Sequence, residues 1–412
     1  MIRIRTLSGV AVAALVACTT TTEPPATQGS VDQYVADARR VAGEDLKFLM
    51  PVCNPQPAVR AAPSAAMDAG LARLINQPAP VPGQAFDNLY YVGSAWVSAW
   101  VLKTSEGLIL IDALNNTKEA VDLIEGGMRR LGLDPAQIRY VLVTHGHGDH
   151  YGGAQMIADR YRARVVASEI DWKMMETGLE FDSKLWDRPP KRDMSVHDGD
   201  TLTLGDTTVR FLITPGHTLG TISPVFDVRH GGKVHKAMIW GGTSFNFGRD
   251  MGRLDGYIAQ TERMRQLAAQ WGIDVPLSNH PGYDGTVAKL KALAAAPAGA
   301  NPFVSGQPVV DRAMRVLNTC ARAQKARFLL AAAGGTGEAY AFASDAREGA
   351  PDDGAKDGQA AGATLHATLS DDGRPVAGAG HPGAYSSAEV PLAFPRSLHA
   401  DDHAGLCAHG EH

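Results

Sequence analysis

His145-Gly146-His147-Gly148-Asp149-His150 is the most informative stretch of this 412-residue chain. In an extended backbone alternate side chains share one side, so His145 and His147 can grip one cation through neutral imidazole. Asp149 and His150 then face a second. The run Tyr140-Val141-Leu142-Val143-Thr144 precedes the motif as a strand, and a helical pattern from Tyr151 to Tyr161 follows it. The motif therefore belongs on a strand-to-helix turn, where layered α/β folds collect active sites. Three of only fourteen histidines fall in this six-residue window, with an aspartate between them.

Two later segments supply further histidines in similar settings. Leu212-Ile213-Thr214-Pro215-Gly216-His217-Thr218 puts one at a strand end after a Pro-Gly turn, and Pro276-Leu277-Ser278-Asn279-His280-Pro281-Gly282 puts another just past a strand. Taken with the first motif, T-P-G-H-T and S-N-H-P-G make residues 84–298 resemble a metallo-β-lactamase-fold hydrolase. The resemblance is nearest to the β-lactamase subclass whose two zincs use only His and Asp. It implies that His145, His147 and His217 hold one zinc, and that Asp149, His150 and His280 hold the other. It also implies a zinc-bound hydroxide that attacks a β-lactam carbonyl, with Asp149 both ligating and orienting it. Glyoxalase- and nuclease-type members carry a bridging Asp near a G-D-x-L-F segment, and another β-lactamase subclass has Cys there. This chain reads Trp240-Gly241-Gly242-Thr243-Ser244-Phe245, which weakens those readings. Thr243, Ser244 and Asn279 are expected to hydrogen-bond a substrate carboxylate or an ordered water. No G-x-S-x-G or S-x-x-K segment precedes a suitable helix, so no serine nucleophile is expected. The same site would also suit a metal-dependent lactonase or esterase, because the surrounding loops choose the substrate. A non-catalytic zinc-binding protein is the third reading, and lost ligands would favour it; none is missing.

Order along the chain fits this fold. Strand patterns run from Phe86 to Val92, Ala95 to Lys103 and Leu108 to Asp112. Thr117 to Leu131 has a helical apolar face, acidic early and basic late. Ala163–Ala167, Thr201–Thr214 and Ser223–Trp240 read as strands, Asp255–Trp271 as a helix, Val275–Leu277 as a strand and Thr286–Ala295 as a helix. Two successive sets of strands and helix predict two sheets face to face with helices outside, a four-layer αββα sandwich with a disordered C-terminal tail. Residues 299–331 are expected to form a helix packing back on the domain. From 332 to 412, Gly, Ala, Asp and Ser dominate and only four aromatics occur, too little apolar surface to offset ordering entropy. Six histidines of this tail (His366, His381, His399, His403, His409, His412) are irregularly spaced and match no fixed metal cage. His197, His230 and His235, in turn-like contexts, are expected at the surface.

The N-terminus reads as an address. Arg3 and Arg5 precede an apolar stretch, Leu7 to Ala17, far short of the ~20 residues that span a bilayer. It ends in Leu15-Val16-Ala17-Cys18. Residues 1–18 resemble a bacterial lipoprotein signal, which implies lipid on Cys18 and, with Thr19 following, anchorage to the outer membrane on the periplasmic side. Residues 19–83 are expected to be a Thr/Pro-rich tether and N-terminal wrap: an amphipathic helix from Ser30, as N-cap type residue, through Met50, then extended chain over 51–82. Export makes a disulfide between Cys53 and Cys320 the expected use of the remaining cysteines, with Cys407 left in the tail. A net charge of −5, with no basic cluster interleaved with aromatics, argues against nucleic acid as a partner. A small-molecule substrate, with the membrane reached only through lipid, is the expected partnership.

Overall fold

Strands that are apolar at every position, not at alternate ones, must be covered on both faces, and that requirement organises this chain. The computed structural model describes residues 26–296 and 300–334. Cys18, Cys407 and the six tail histidines lie outside the described residues. A seven-stranded sheet runs in chain order through β1 (Gly83–Phe86), β2 (Leu89–Tyr91), β3 (Trp100–Thr104), β4 (Gly107–Ile111), β5 (Ile138–Leu142), β6 (Arg164–Ser168) and β7 (Met194–Val196). Its first four strands pair antiparallel, and β4 through β7 pair parallel. The second sheet has the order β12-β11-β10-β9-β8, built from β8 (Thr201–Leu204), β9 (Thr207–Ile213), β10 (Ile222–His230), β11 (Lys233–Trp240) and β12 (Ile273–Ser278). Only β11 and β12 run parallel there.

The helices are α1 (Gln28–Ala42), α2 (Ala65–Ile75), α3 (Thr117–Glu119), α4 (Gly126–Arg130), α5 (Gly148–Tyr151), α6 (Ala154–Tyr161), α7 (Glu169–Thr177), α8 (Met251–Trp271), α9 (Thr286–Ala295) and α10 (Gln307–Ala332). Alternation along β4 shows how the layers form. Ile109 and Ile111 join Trp100, Leu142, Phe211, Phe226 and Ile239 between the sheets. Leu108 and Leu110 point the other way, into a core with Ile124, Met128, Ile157 and Trp172 from the covering helices. A third core, holding Met238, Trp240, Leu254, Met264 and Leu317, packs α1, α8 and α10 on the outer face of the second sheet. The result is a four-layer αββα sandwich.

Cys53 and Cys320 are joined by a disulfide with Cα atoms 4.5 Å apart. Both lie in that third core, so the bond ties the short 3₁₀ segment Lys47–Cys53 to α10.

Several local expectations are corrected. The N-cap of α1 is Thr27, with Ser30 at the third helical position returning a hydrogen bond to complete a capping box. The helix also ends at Ala42, well before Met50. Residues 51–82 are not all extended, because Ser64 caps the N-terminus of α2 by accepting from the Met67 N–H. The first strand pattern splits at Asp87-Asn88 into β1 and β2, and β3 starts only at Trp100. A Cβ on Gly93 would lie 2.5 Å from the Ala99 nitrogen, so residues 93–99 fold back tightly and carry Trp96 inward. Residues 117–130 wind as π-helix over Ala120–Glu125. The expected helix from Tyr151 starts earlier and breaks at Gly152-Gly153, where Gly152 passes against the Asn115 carbonyl. Among the three histidines expected at the surface, His197 is exposed. His235 is half-buried against Asp274, 2.6 Å away, and His230 packs on the edge of Phe86.

Candidate metal centre

The sheets deliver three chain segments to one spot at their ends. After β5, Val143 and Thr144 lead into the histidine motif, and His147 is extended (φ −100°, ψ 151°) immediately before α5. The glycines of the motif are needed for close approach: a Cβ on Gly146 would meet Met174 at 2.6 Å, and one on Gly148 would enter the Trp186 ring. His217 follows β9, and His280 follows β12.

His145 Nε2 and His147 Nδ1 each lie 3.1 Å from His217 Nε2. Beside them, His150 Nε2 lies 3.2 Å from His280 Nε2, with Asp149 Oδ2 at 3.3 Å and 3.7 Å from these two nitrogens. His145 is also close enough to Asp149 and His150 to share a ligand shell with them. The structure thus gathers all six residues singled out by the sequence. His145, His147, Asp149, His150 and His217 are buried and His280 is half-buried.

The outward nitrogens decide what the inward ones are. His217 Nδ1–H donates to the Ser244 carbonyl at 2.8 Å, and His280 Nδ1–H to the Trp96 carbonyl at 2.7 Å. His150 Nδ1 bonds Asp112 Oδ2 at 2.8 Å, and His147 Nε2 reaches Glu180 Oε2 at 3.4 Å. The inward nitrogens of His147, His217 and His280 are therefore left with a bare lone pair. Lone pairs facing one another at about 3 Å in a buried site repel unless a proton or a metal cation stands between them. Such a donor set, imidazoles with carboxylate or carbonyl partners behind them, suits a transition-metal ion.

A family model described as the metallo-beta-lactamase superfamily matches residues 97–230. BJP-1, a subclass B3 metallo-beta-lactamase of Bradyrhizobium japonicum, is 31% identical, with 57% of this chain covering 90% of that one at a TM-score of 0.50. The chain belongs to the metallo-beta-lactamase superfamily. FEZ-1 of Legionella gormanii, at 23% identity and a TM-score of 0.51 over 57% of this chain and 94% of that one, shares the fold. Among curated proteins, a hydroxyacylglutathione hydrolase of Rhodopseudomonas palustris (strain BisA53) is 32% identical over 149 residues, 36% of this chain and 51% of that protein. The chain spans about half the length of the curated relatives it matches.

Within this metallo-beta-lactamase superfamily site the charges are arranged in pairs. Burial, reinforced by neighbouring histidines, holds His145 and His217 well below the usual imidazole range and His280 down to about 4. Burial also opposes charge on His150, but Asp149 and Asp112 overcome it and raise this imidazole to about 10. Asp149 is held below the usual carboxylate range despite burial, because His150, His280 and His147 face it. His145, His217 and His280 are thus neutral imidazoles beside an anion, and a metal must displace the proton of His150.

Thr243, Ser244 and Asn279 stand around the histidines, held by main-chain carbonyls and the Asn279 amide nitrogen. The Thr243 carbonyl accepts from Tyr257, the Ser244 carbonyl holds His217, and Asn279 Nδ2 donates to the Gly241 carbonyl at 2.7 Å and to Thr144 Oγ1 at 3.1 Å. Sequence reasoning missed Asp112, Asp171, Glu180 and Arg253. Asp112 accepts from Thr144 N (2.7 Å), Thr144 Oγ1 (2.9 Å) and His150. Buried Asp171 accepts from Gly146 N (2.8 Å) and Thr218 Oγ1 (2.8 Å), tying the two histidine loops together. A polar residue closing the Leu108–Ile111 run was the one available signal for Asp112. The other three stand in no recognisable motif.

Proposed function

We propose that the protein is a di-zinc hydrolase that opens the β-lactam ring. In this reading His145, His147 and His217 hold one ion, and Asp149, His150 and His280 hold the other. The observation that carries it is Gly242. A Cβ there would lie 2.5 Å from the His217 Cβ, so the backbone passes too close to the ligand histidine for the bridging carboxylate of glyoxalase-type members. The likeness to BJP-1, a subclass B3 metallo-beta-lactamase, supports the same substrate class.

The chain's own contributions follow from the hydrogen bonds. Asp112, Ser244, Trp96 and Glu180 fix the ring orientations, so the donors are set before any substrate arrives and little reorganisation is needed during reaction. Asp149, kept ionised by the imidazoles around it, accepts but cannot donate and so would hold the attacking water by one proton. Bound zinc supplies Lewis acidity for the lactam carbonyl and lowers the pKa of the hydrolytic water. We further propose export to the cell envelope with lipid on Cys18, tested by detergent partitioning of the wild type and Cys18→Ser.

The curated relatives named hydroxyacylglutathione hydrolase favour a second reading, thioester hydrolysis at the same centre. The deciding experiment gives zinc-loaded protein a chromogenic cephalosporin, a lactone and a hydroxyacylglutathione thioester side by side. Turnover of the cephalosporin, abolished by a chelator and indifferent to serine-directed inhibitors, is the expected result. Thioester or lactone turnover with every β-lactam intact would overturn the substrate assignment and leave the metal centre standing.

A further inference from the structure

Behind the first histidine group, two elements distant in sequence meet. The segment 178–193 between α7 and β7 brings Glu180, and the first turn of α8 brings Arg253, which is only 6% exposed. Arg253 Nη1 donates to Glu180 Oε1 at 2.8 Å, and its Nε donates to the Gly216 carbonyl at 2.8 Å. The other oxygen of Glu180 faces His147 Nε2 at 3.4 Å. One guanidinium therefore touches the residue that precedes His217 and, through a carboxylate, the ring of His147. Its plane is packed over Phe247, 4.4 Å from the ring centroid, and Phe181 stands edge-on to His147 at 5.0 Å.

We infer that Glu180 and Arg253 are positioning residues that together set the ring of His147 and the place of His217 in the first metal site. The inference rests on the metal-centre reading above and is indifferent to the substrate. His147 is the member of its group that turns Nδ1, not Nε2, toward the other nitrogens. For that nitrogen to be a ligand the proton must sit on Nε2, and a carboxylate is the strongest neutral-pH acceptor a side chain can offer there. A carboxylate buried alone would be costly, and Arg253 removes that cost by forming an ion pair with it. Arg253 is fixed in turn, because Gly216 is pressed against Tyr257, where a Cβ would lie 2.6 Å from the ring. The clamp thus joins two loops that carry ligands from different sheets.

The test uses full-length protein and zinc as the probe, read by chelator competition and, with cobalt substituted, by the visible spectrum. Imidazole ¹⁵N resonances of the metal-free protein report the His147 tautomer. Wild type should bind two zincs and show His147 protonated at Nε2. Glu180→Ala should weaken one binding step by about 10- to 100-fold, the range typical of lost partners behind a metal ligand, spare the other step, and lose the fixed tautomer. Arg253→Met should follow it. Glu180→Gln keeps an acceptor for His147 without the ion pair, and should hold the tautomer with a smaller loss of affinity. Ser183→Ala is the control for simple loosening, since it removes this segment's 2.6 Å bond to Asp68 and should leave both steps intact. Wild-type zinc affinity and tautomer in Glu180→Ala would overturn the inference, as would an equal loss in Ser183→Ala. Wild-type protein that binds no zinc would instead overturn the metal centre itself.

Discussion

Asp112→Asn is the substitution whose consequence can be worked furthest from the structure. Asp112 has φ 62°, a left-handed conformation that Asn tolerates as well as Asp, so the backbone should not be disturbed. Its side chain is buried and faces three donors: Thr144 N at 2.7 Å on one oxygen, Thr144 Oγ1 at 2.9 Å and His150 Nδ1 at 2.8 Å on the other. An amide has one acceptor oxygen, so either orientation turns its NH₂ toward a buried N–H. A buried unsatisfied donor costs about 1–3 kcal/mol, and a loss of about 2 kcal/mol should lower Tm by roughly 4–8 °C in a domain of this size. The less costly escape is for His150 to move its proton to Nε2, which removes its lone pair from the metal side. One zinc step should then weaken by about 10- to 100-fold while the other is retained. Differential scanning fluorimetry of metal-free protein and zinc titration against a chelator measure the two effects. Unchanged Tm together with two wild-type zinc steps would refute the reasoning, since three buried hydrogen bonds cannot be exchanged for an amide without a trace.

Asp149→Ala should abolish most hydrolytic activity while leaving more than half of the zinc bound at saturation, because His145, His147 and His217 are untouched; loss of both metals would count against the three-and-three division. Reduction of the Cys53–Cys320 bond releases a loop of 267 residues, for which chain-entropy models give about 5.6 kcal/mol before strain. Tm of the reduced protein should fall by well over 5 °C with zinc content unchanged. Asp193 accepts from Arg164 and from Val165 N, which hold it below the usual carboxylate range. Its stabilisation is present above about pH 4 and fades as pH falls, so Asp193→Asn should cost up to about 1 kcal/mol at pH 7 and less below pH 3, by urea unfolding at both pH values. Ending the chain after Gly334 should change neither zinc content nor turnover, because all six donors and their hydrogen-bond partners lie before it.

What the sequence alone determined is what local patterns encode. Strands apolar on both faces required layers on both sides, and β4 shows this in Leu108 to Ile111. Six donor residues at strand ends were legible because metal ligation restricts residue type and spacing within each short segment. Glycines beside them read as turn residues, and only the tertiary structure shows that Gly146, Gly148 and Gly242 are places where another segment leaves no room for a side chain. The groups behind the ligands were not legible. Asp112 is 38 residues from His150, Glu180 is 33 from His147 and 73 from Arg253, and no spacing rule links residues brought together by different strands. The misses at α2 and at the tight turn before β3 are local. A cap hydrogen bond decides α2 against a Pro/Ala-rich composition that reads as extended chain, and one crowded glycine decides the turn against a strand-like pattern. Ligand identity is a local property of the sequence. Ligand orientation is decided by packing, because the atom that fixes each imidazole comes from elsewhere in the fold.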